Sequence, residues 1–204
     1  MNKINYGLAL IICLIVFSYA QADICEPYPP KGMKPGYTYN GIYANGAYGY
    51  SIEIPKGYTG GLYQDPAAPQ HGIQVILSWE PRSNIYFSGD ANSLEDNETD
   101  KPLDAFGYCI FGLNTVREYA KDLKSFEMRK SKLGSFNAYQ YTIRYTCPKS
   151  SQERIEETVV AIPKGRGLVY RVTLETTMNR FKEDHKIFIK FIKSWRMIER
   201  KKNT

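Results

Sequence analysis

The stretch GSFNAYQYTIRYTC, Gly134–Cys147, decides the fold. In it Tyr139, Tyr141, Ile143, Tyr145 and Cys147 alternate with Gln140, Thr142, Arg144 and Thr146. A period of two turns one side of an extended strand toward a core. The same period returns at 168–175, where Leu168, Tyr170, Val172 and Leu174 alternate with Val169, Arg171, Thr173 and Glu175. Between the two, Ile155, Thr158, Val159, Val160 and Ile162 supply the β-branched residues of another strand. Pro163, Gly165 and Gly167 then close a hairpin loop.

Beyond Asn179 the period becomes helical. At 100° per residue, Phe181, Ile187, Phe188, Phe191, Ile192 and Trp195 fall within about 140° of arc, and Lys182, Lys186, Lys190, Lys193 and Arg196 within about 120° on the other side. This predicts a long C-terminal amphipathic helix lying on a sheet with its lysines in water. The fold class is α+β: an antiparallel β-sheet with helices packed on it.

Working outward, Tyr48, Tyr50, Ile52 and Ile54 predict a strand stopped by Pro55 and Gly57, and Asn40 to Ala47 reads as turn. Ile73, Val75, Leu77 and Trp79 form the inward side of a second strand, and residues 84–88 a short third. The Thr115–Glu118 spacing is that of a capping box, which predicts a helix over 116–125. A strand over 128–133 then turns at Gly134. The domain is expected to run over 48–198, with an extended Pro/Gly-rich lead-in at 23–47 and a basic tail at 199–204.

The N-terminus reads as a leader. Lys3 precedes an apolar run from Leu8 to Ala20, and Ala20 and Ala22 are small residues at the positions signal peptidase needs. Cleavage near Ala22 places the protein in the periplasm or outside the cell, with no transmembrane segment after processing. Cys25, Cys109 and Cys147 survive that cut in an oxidising compartment, so one disulfide is expected. Cys109–Cys147 is the favoured pair, because Cys147 lies on the core side of its strand and Cys109 in an aromatic segment, 106–111, expected to pack on the sheet. Cys25 could pair with either.

Charge and motifs narrow the function. The net charge of +6 is too small for a nucleic-acid footprint. The acids Asp96, Glu98 and Asp100 begin like a calcium loop, but Lys101 stands where the turn needs glycine and Gly107 where the bidentate glutamate belongs. His71 and His185 are the only histidines, and no zinc spacing, phosphate loop or Gly-x-Ser-x-Gly elbow accompanies them. No cofactor is expected, and His185 reads as a packed surface histidine. The aromatic-bearing loop at 58–72 is the natural place for function. Tyr63 and His71 in it, and Trp79 on the strand it leads to, are the candidate binding residues, and the lysines Lys182, Lys186, Lys190 and Lys193 could face an anionic surface.

Four motifs carry a resemblance. They are the Tyr-Gly-Tyr-Ser-Ile-Glu-Ile-Pro run at 48–55, the Gly-x-x-x-Ala-Tyr-Gln-Tyr strand at 134–141, the Gly-Leu-Val-Tyr-Arg-Val-Thr-Leu strand at 167–174 and the Phe-Ile-Lys-Ser-Trp-Arg helix end at 191–196. Together they resemble the PsbP-like superfamily of small extracytoplasmic α+β proteins. The resemblance implies an antiparallel sheet with helices on its faces and an accessory or binding role without catalysis. The expected function is that of a non-enzymatic binding protein, an inhibitor or immunity protein with a protein partner. The alternative is a small secreted hydrolase with its site at the 58–72 loop around His71.

Overall fold

A computed structural model describes residues 37–62, 72–79, 81–91, 104–148, 150–164 and 167–199. The strands are β1 (Tyr37–Tyr39), β2 (Gly41–Asn45), β3 (Tyr50–Ile54), β4 (Gly60–Leu62), β5 (Gly72–Trp79), β6 (Arg82–Ala91), β7 (Asp122–Leu133), β8 (Phe136–Thr146), β9 (Glu153–Ala161), β10 (Leu168–Thr177) and β11 (Arg196–Met197). Helix α1 (Ala105–Tyr119) separates β6 from β7, and helix α2 (Phe181–Ser194) follows β10. Among the described residues, eight strands form one sheet in the order β1-β4-β5-β6-β10-β9-β8-β7, and β11-β3-β2 form a second. The pairings are antiparallel, and β7 to β10 pair in chain order, each with the next. The fold class is the expected one, including the helix on each face that the PsbP-like resemblance implies.

Helix α2 and the small sheet share one face of the large sheet. There Phe188, Phe191 and Trp195 pack with Tyr43, Tyr50, Ile52 and Ile54 against Phe87, Tyr170 and Val172. Each such side chain contributes about 1.5–3 kcal/mol on full burial. Trp195 is fully buried and meets the rings of Tyr170 at 5.1 Å and Phe136 at 5.6 Å. Gly134, at φ +57°, makes the β7–β8 turn beneath it. A Cβ there would lie 2.5 Å from the Trp195 carbonyl oxygen, so only glycine fits. On the other face α1 crosses β7 to β9, with Cys109, Leu113 and Val116 against Tyr141, Ile143, Tyr145 and Val160.

Both sides of the central strands are therefore interior, which corrects the one-sided reading. Gln140 and Val169, expected to face water, are buried. Helix α1 begins eleven residues before the predicted 116: its cap is Asp104, whose Oδ1 accepts from the Gly107 amide at 2.7 Å. Thr115 lies inside the helix, where its hydroxyl donates to the Phe111 carbonyl at 3.1 Å, and residues 122–125 already belong to β7. The segment read as turn before Tyr48 contains β2, and Tyr43 within it is core. The inward row of β5 holds for Ile73 and Val75. A register shift between Ile76 and Ser78 then breaks the alternation, and Trp79 ends 46% exposed.

Candidate functional site

The surface that stands out is the outer side of α1. Its first ten residues, AFGYCIFGLN, are apolar nearly all round, which suits a helix covered on more than one side. One side is covered by the sheet. Gly112 permits the approach, since a Cβ there would fall 2.6 Å from the Tyr141 hydroxyl. The other side leaves Phe106 43% and Phe111 51% exposed, with Tyr108 and Ile110 half-buried beside them. Phe106 rests edge-on against Tyr139, ring centres 5.5 Å apart.

Beneath α1 the sheet carries ionisable groups in its interior. The Tyr141 hydroxyl donates to Glu156 at 2.7 Å, and the Thr158 hydroxyl donates to the same oxygen at 3.3 Å. Burial pushes the Glu156 carboxyl up to about 6; the Tyr141 hydrogen bond opposes this and the Glu175 charge adds to it. Glu175 is raised too, by burial, against the pull of Arg154 and Arg82. Arg154 bridges to Glu175 at 3.1 Å and donates to the Arg82 carbonyl at 2.8 Å. Glu156 is only 8% exposed. The cluster ties β8, β9 and β10 together across the face that α1 covers.

The α2 side is pinned by two other acids. Asp184 is fully buried and accepts from Ser83 and Thr176, each at 2.6 Å, and from Arg180 at 2.9 and 3.2 Å. Glu157 accepts from Gln140 and sits 2.6 Å from Nδ1 of His185, whose side chain is 31% exposed. His185 is thus the packed surface histidine expected, and its carboxylate partner fastens α2 to β9. Lys182, Lys186, Lys190 and Lys193 line the outer side of α2, all exposed. At its C-terminal end a cleft of about 320 Å³ is lined by Glu53, Pro55, Lys56, Lys190 and Ser194.

Of the three predicted binding residues, Trp79 is exposed at the end of β5, while Tyr63 and His71 lie outside the described residues. The acidic segment weighed for calcium lies largely outside them as well, and no group of three or more potential metal ligands occurs among the described residues. The predicted disulfide is corrected. Cys109 is a buried free thiol, pushed up to about 12 by burial and then by the Asp104 charge. It packs beside Tyr141, and Cys147 lies about 20 Å further along β8 at about 3.3 Å per residue, beyond disulfide reach. Cys147 is itself disulfide-bonded, and Cys109 is not its partner.

Sequence reasoning missed Phe106 and Phe111 as surface residues and Glu156, Glu157 and Asp184 as buried ones. A signal for the glutamates was present. Two consecutive acids on a strand point to opposite faces, so one of them enters the core when one face is covered and both do when both faces are.

The fold and surfaces define a class: an antiparallel α+β domain with helices on its two faces, an aromatic patch on one and a lysine row on the other. No family model and no curated protein matches the sequence. Among solved structures the chain is similar to the cyanobacterial PsbP protein (CyanoP) of Synechocystis, at 18% identity over 82% of this chain and 99% of that one, with a TM-score of 0.49. It is also similar to the Ran-binding protein Mog1p of Saccharomyces cerevisiae, at 6% identity over 80% and 97% of the two chains, TM-score 0.49. A third is LpqN of Mycobacterium tuberculosis, involved in cell envelope biogenesis, at 16% identity over 82% and 87%, TM-score 0.33. No helix among the described residues is long and apolar enough to cross a membrane.

Proposed function

We propose that the protein is a secreted or periplasmic accessory protein that binds a protein partner and performs no chemistry, in the manner of an inhibitor or immunity protein. The observation that carries this reading is the exposure of Phe106 and Phe111 on a helix that is apolar nearly all round. Aromatic side chains offer large contact area at low conformational cost and are the usual anchors of protein interfaces. The surface is also preorganised: Asp104 caps α1 and Gly112 seats it on Tyr141, so little ordering is spent on binding. Trp79 and Tyr63 are further candidate anchors.

The test is a pull-down of the mature protein from its own envelope fraction, alongside a Phe106→Ala/Phe111→Ala variant. A partner retained by the wild type and lost by the variant supports the reading. The hydrolase alternative expects turnover of an ester, amide or glycan by the purified protein, abolished in His71→Ala. That result would replace the binding reading.

A further inference from the structure

Helix α2 carries a single row of amines. Lys182, Lys186, Lys190 and Lys193 are exposed, and at 1.5 Å per residue the row is about 16 Å long. Among the described residues none of the four has a carboxylate within 4 Å. Their spacing of four, four and three residues is the one at which like charges oppose each other on a helix. Lysines present only for solubility are better placed four residues after glutamates, where each pair supports the helix. Here the helix bears a repulsive row, which an anionic partner would relieve.

The row ends in the cleft of about 320 Å³, where Lys56 from beyond β3 joins Lys190, with Glu53 and Ser194 completing the wall. The Ser194 hydroxyl holds the backbone amide of Glu53 at 3.1 Å, so helix and strand are fixed to each other across the cleft. The helix is equally fixed underneath, through Asp184 and the Glu157–His185 pair. The amines therefore stand on a rigid platform.

The composition of this surface selects the partner. The exposed large hydrophobic residues among those described are Ile42, Trp79, Phe106, Phe111 and Met178, and none of them is on α2. A specific protein interface needs a desolvated core inside its charged rim, and this surface offers none. Penetration into the acyl region likewise needs apolar side chains on the docking face. A plane of lipid phosphates needs neither, because the lipids diffuse to match the lysines, each giving about a fivefold gain in affinity.

We infer that α2 is a peripheral docking surface for an anionic bilayer, with one lipid phosphate seated between Lys56 and Lys190. It lies on the opposite face of the large sheet from α1, so a protein bound at Phe106 and Phe111 would be held on the side away from the bilayer. The inference stands independently of the proposed protein partner.

Flotation of the exported chain with vesicles tests it. Vesicles of phosphatidylcholine containing about one-third phosphatidylglycerol should retain the protein at low salt and release it as salt rises, and pure phosphatidylcholine should not retain it. Lys182→Gln/Lys186→Gln/Lys190→Gln/Lys193→Gln should weaken retention by on the order of a hundredfold or more, and Lys56→Gln alone by about fivefold. The four corresponding Lys→Arg changes should preserve it. Lys121→Gln/Lys130→Gln/Lys132→Gln removes three exposed amines elsewhere, and that variant should bind about as tightly as the wild type. Equal binding to neutral vesicles, equal losses in the two glutamine variants, or binding of an acidic protein but not of anionic vesicles would each overturn the inference.

Discussion

Helices α1 and α2 lie on opposite faces of one sheet, and they are finished to different degrees. Helix α2 buries Phe188, Phe191 and Ile192, secures Asp184 with donors from three residues, and its fully exposed residues are all polar. Helix α1 buries Cys109, Leu113 and Val116 over interior acids whose carboxyls are pushed up, and it leaves two phenylalanines in water. The first is a completed part of the domain. The second has apolar surface still to be covered, and such surface marks interaction sites more often than it marks folding.

Substitutions can break or sharpen this contrast. The largest effect should come from the α2 side, where Trp195→Ala removes a fully buried indole and should cost about 3–5 kcal/mol in urea denaturation. Loss of less than about 1 kcal/mol would mean that the α2 core is not what holds the sheet. Next comes the disulfide. On the proposed cleavage at Ala22, the other cysteine left for Cys147 is Cys25, so peptide mapping should join those two, and Cys147→Ser should cost about 2–4 kcal/mol. Thiol titration after unfolding should find one free cysteine, Cys109.

Beneath α1 the effect should depend on pH. The Glu156 carboxyl is raised from 4.5 to about 6 in the folded protein, so the folded state holds its proton more tightly than the unfolded chain does. The stability this gives is fully present below about pH 4.5 and is lost as pH rises through about 6, a change on the order of 2 kcal/mol. Glu175, also raised, acts in the same direction. Melting temperature should therefore rise as pH falls from 7 toward 5, and Glu156→Gln should flatten the profile and stabilise the protein at pH 7. A wild-type profile that falls over that range would contradict the interior placement of these acids. The smallest effect belongs to the outer side of α1: Phe111→Ala should change stability by no more than about 0.5 kcal/mol.

The same contrast explains what the sequence could reveal. The period of α2 is clean because one side meets the core and the other meets water, so its stripe and its lysines were legible. The strands 136–146 and 168–177 were legible because an apolar row, on the α1 side of the first and the α2 side of the second, alternates with a largely polar row, although both sides are interior. Helix α1 was not, because Phe106, Tyr108, Ile110 and Phe111 erase the polar side that would mark its period, and Thr115–Glu118 imitates a start in mid-helix. Thr173 and Glu175 read as solvent-facing because polar side chains carry no sign of whether another layer covers them. The bulge that turns Trp79 outward depends on the pairing of β5 with β6, which no local pattern encodes.

The most direct test is a titration of the envelope partner with the mature protein and with Phe106→Ala/Phe111→Ala, each checked for an unchanged melting temperature. The account predicts that the double variant binds about 1–3 kcal/mol more weakly, in the range of interface anchors. Equal affinity for the two proteins would contradict it.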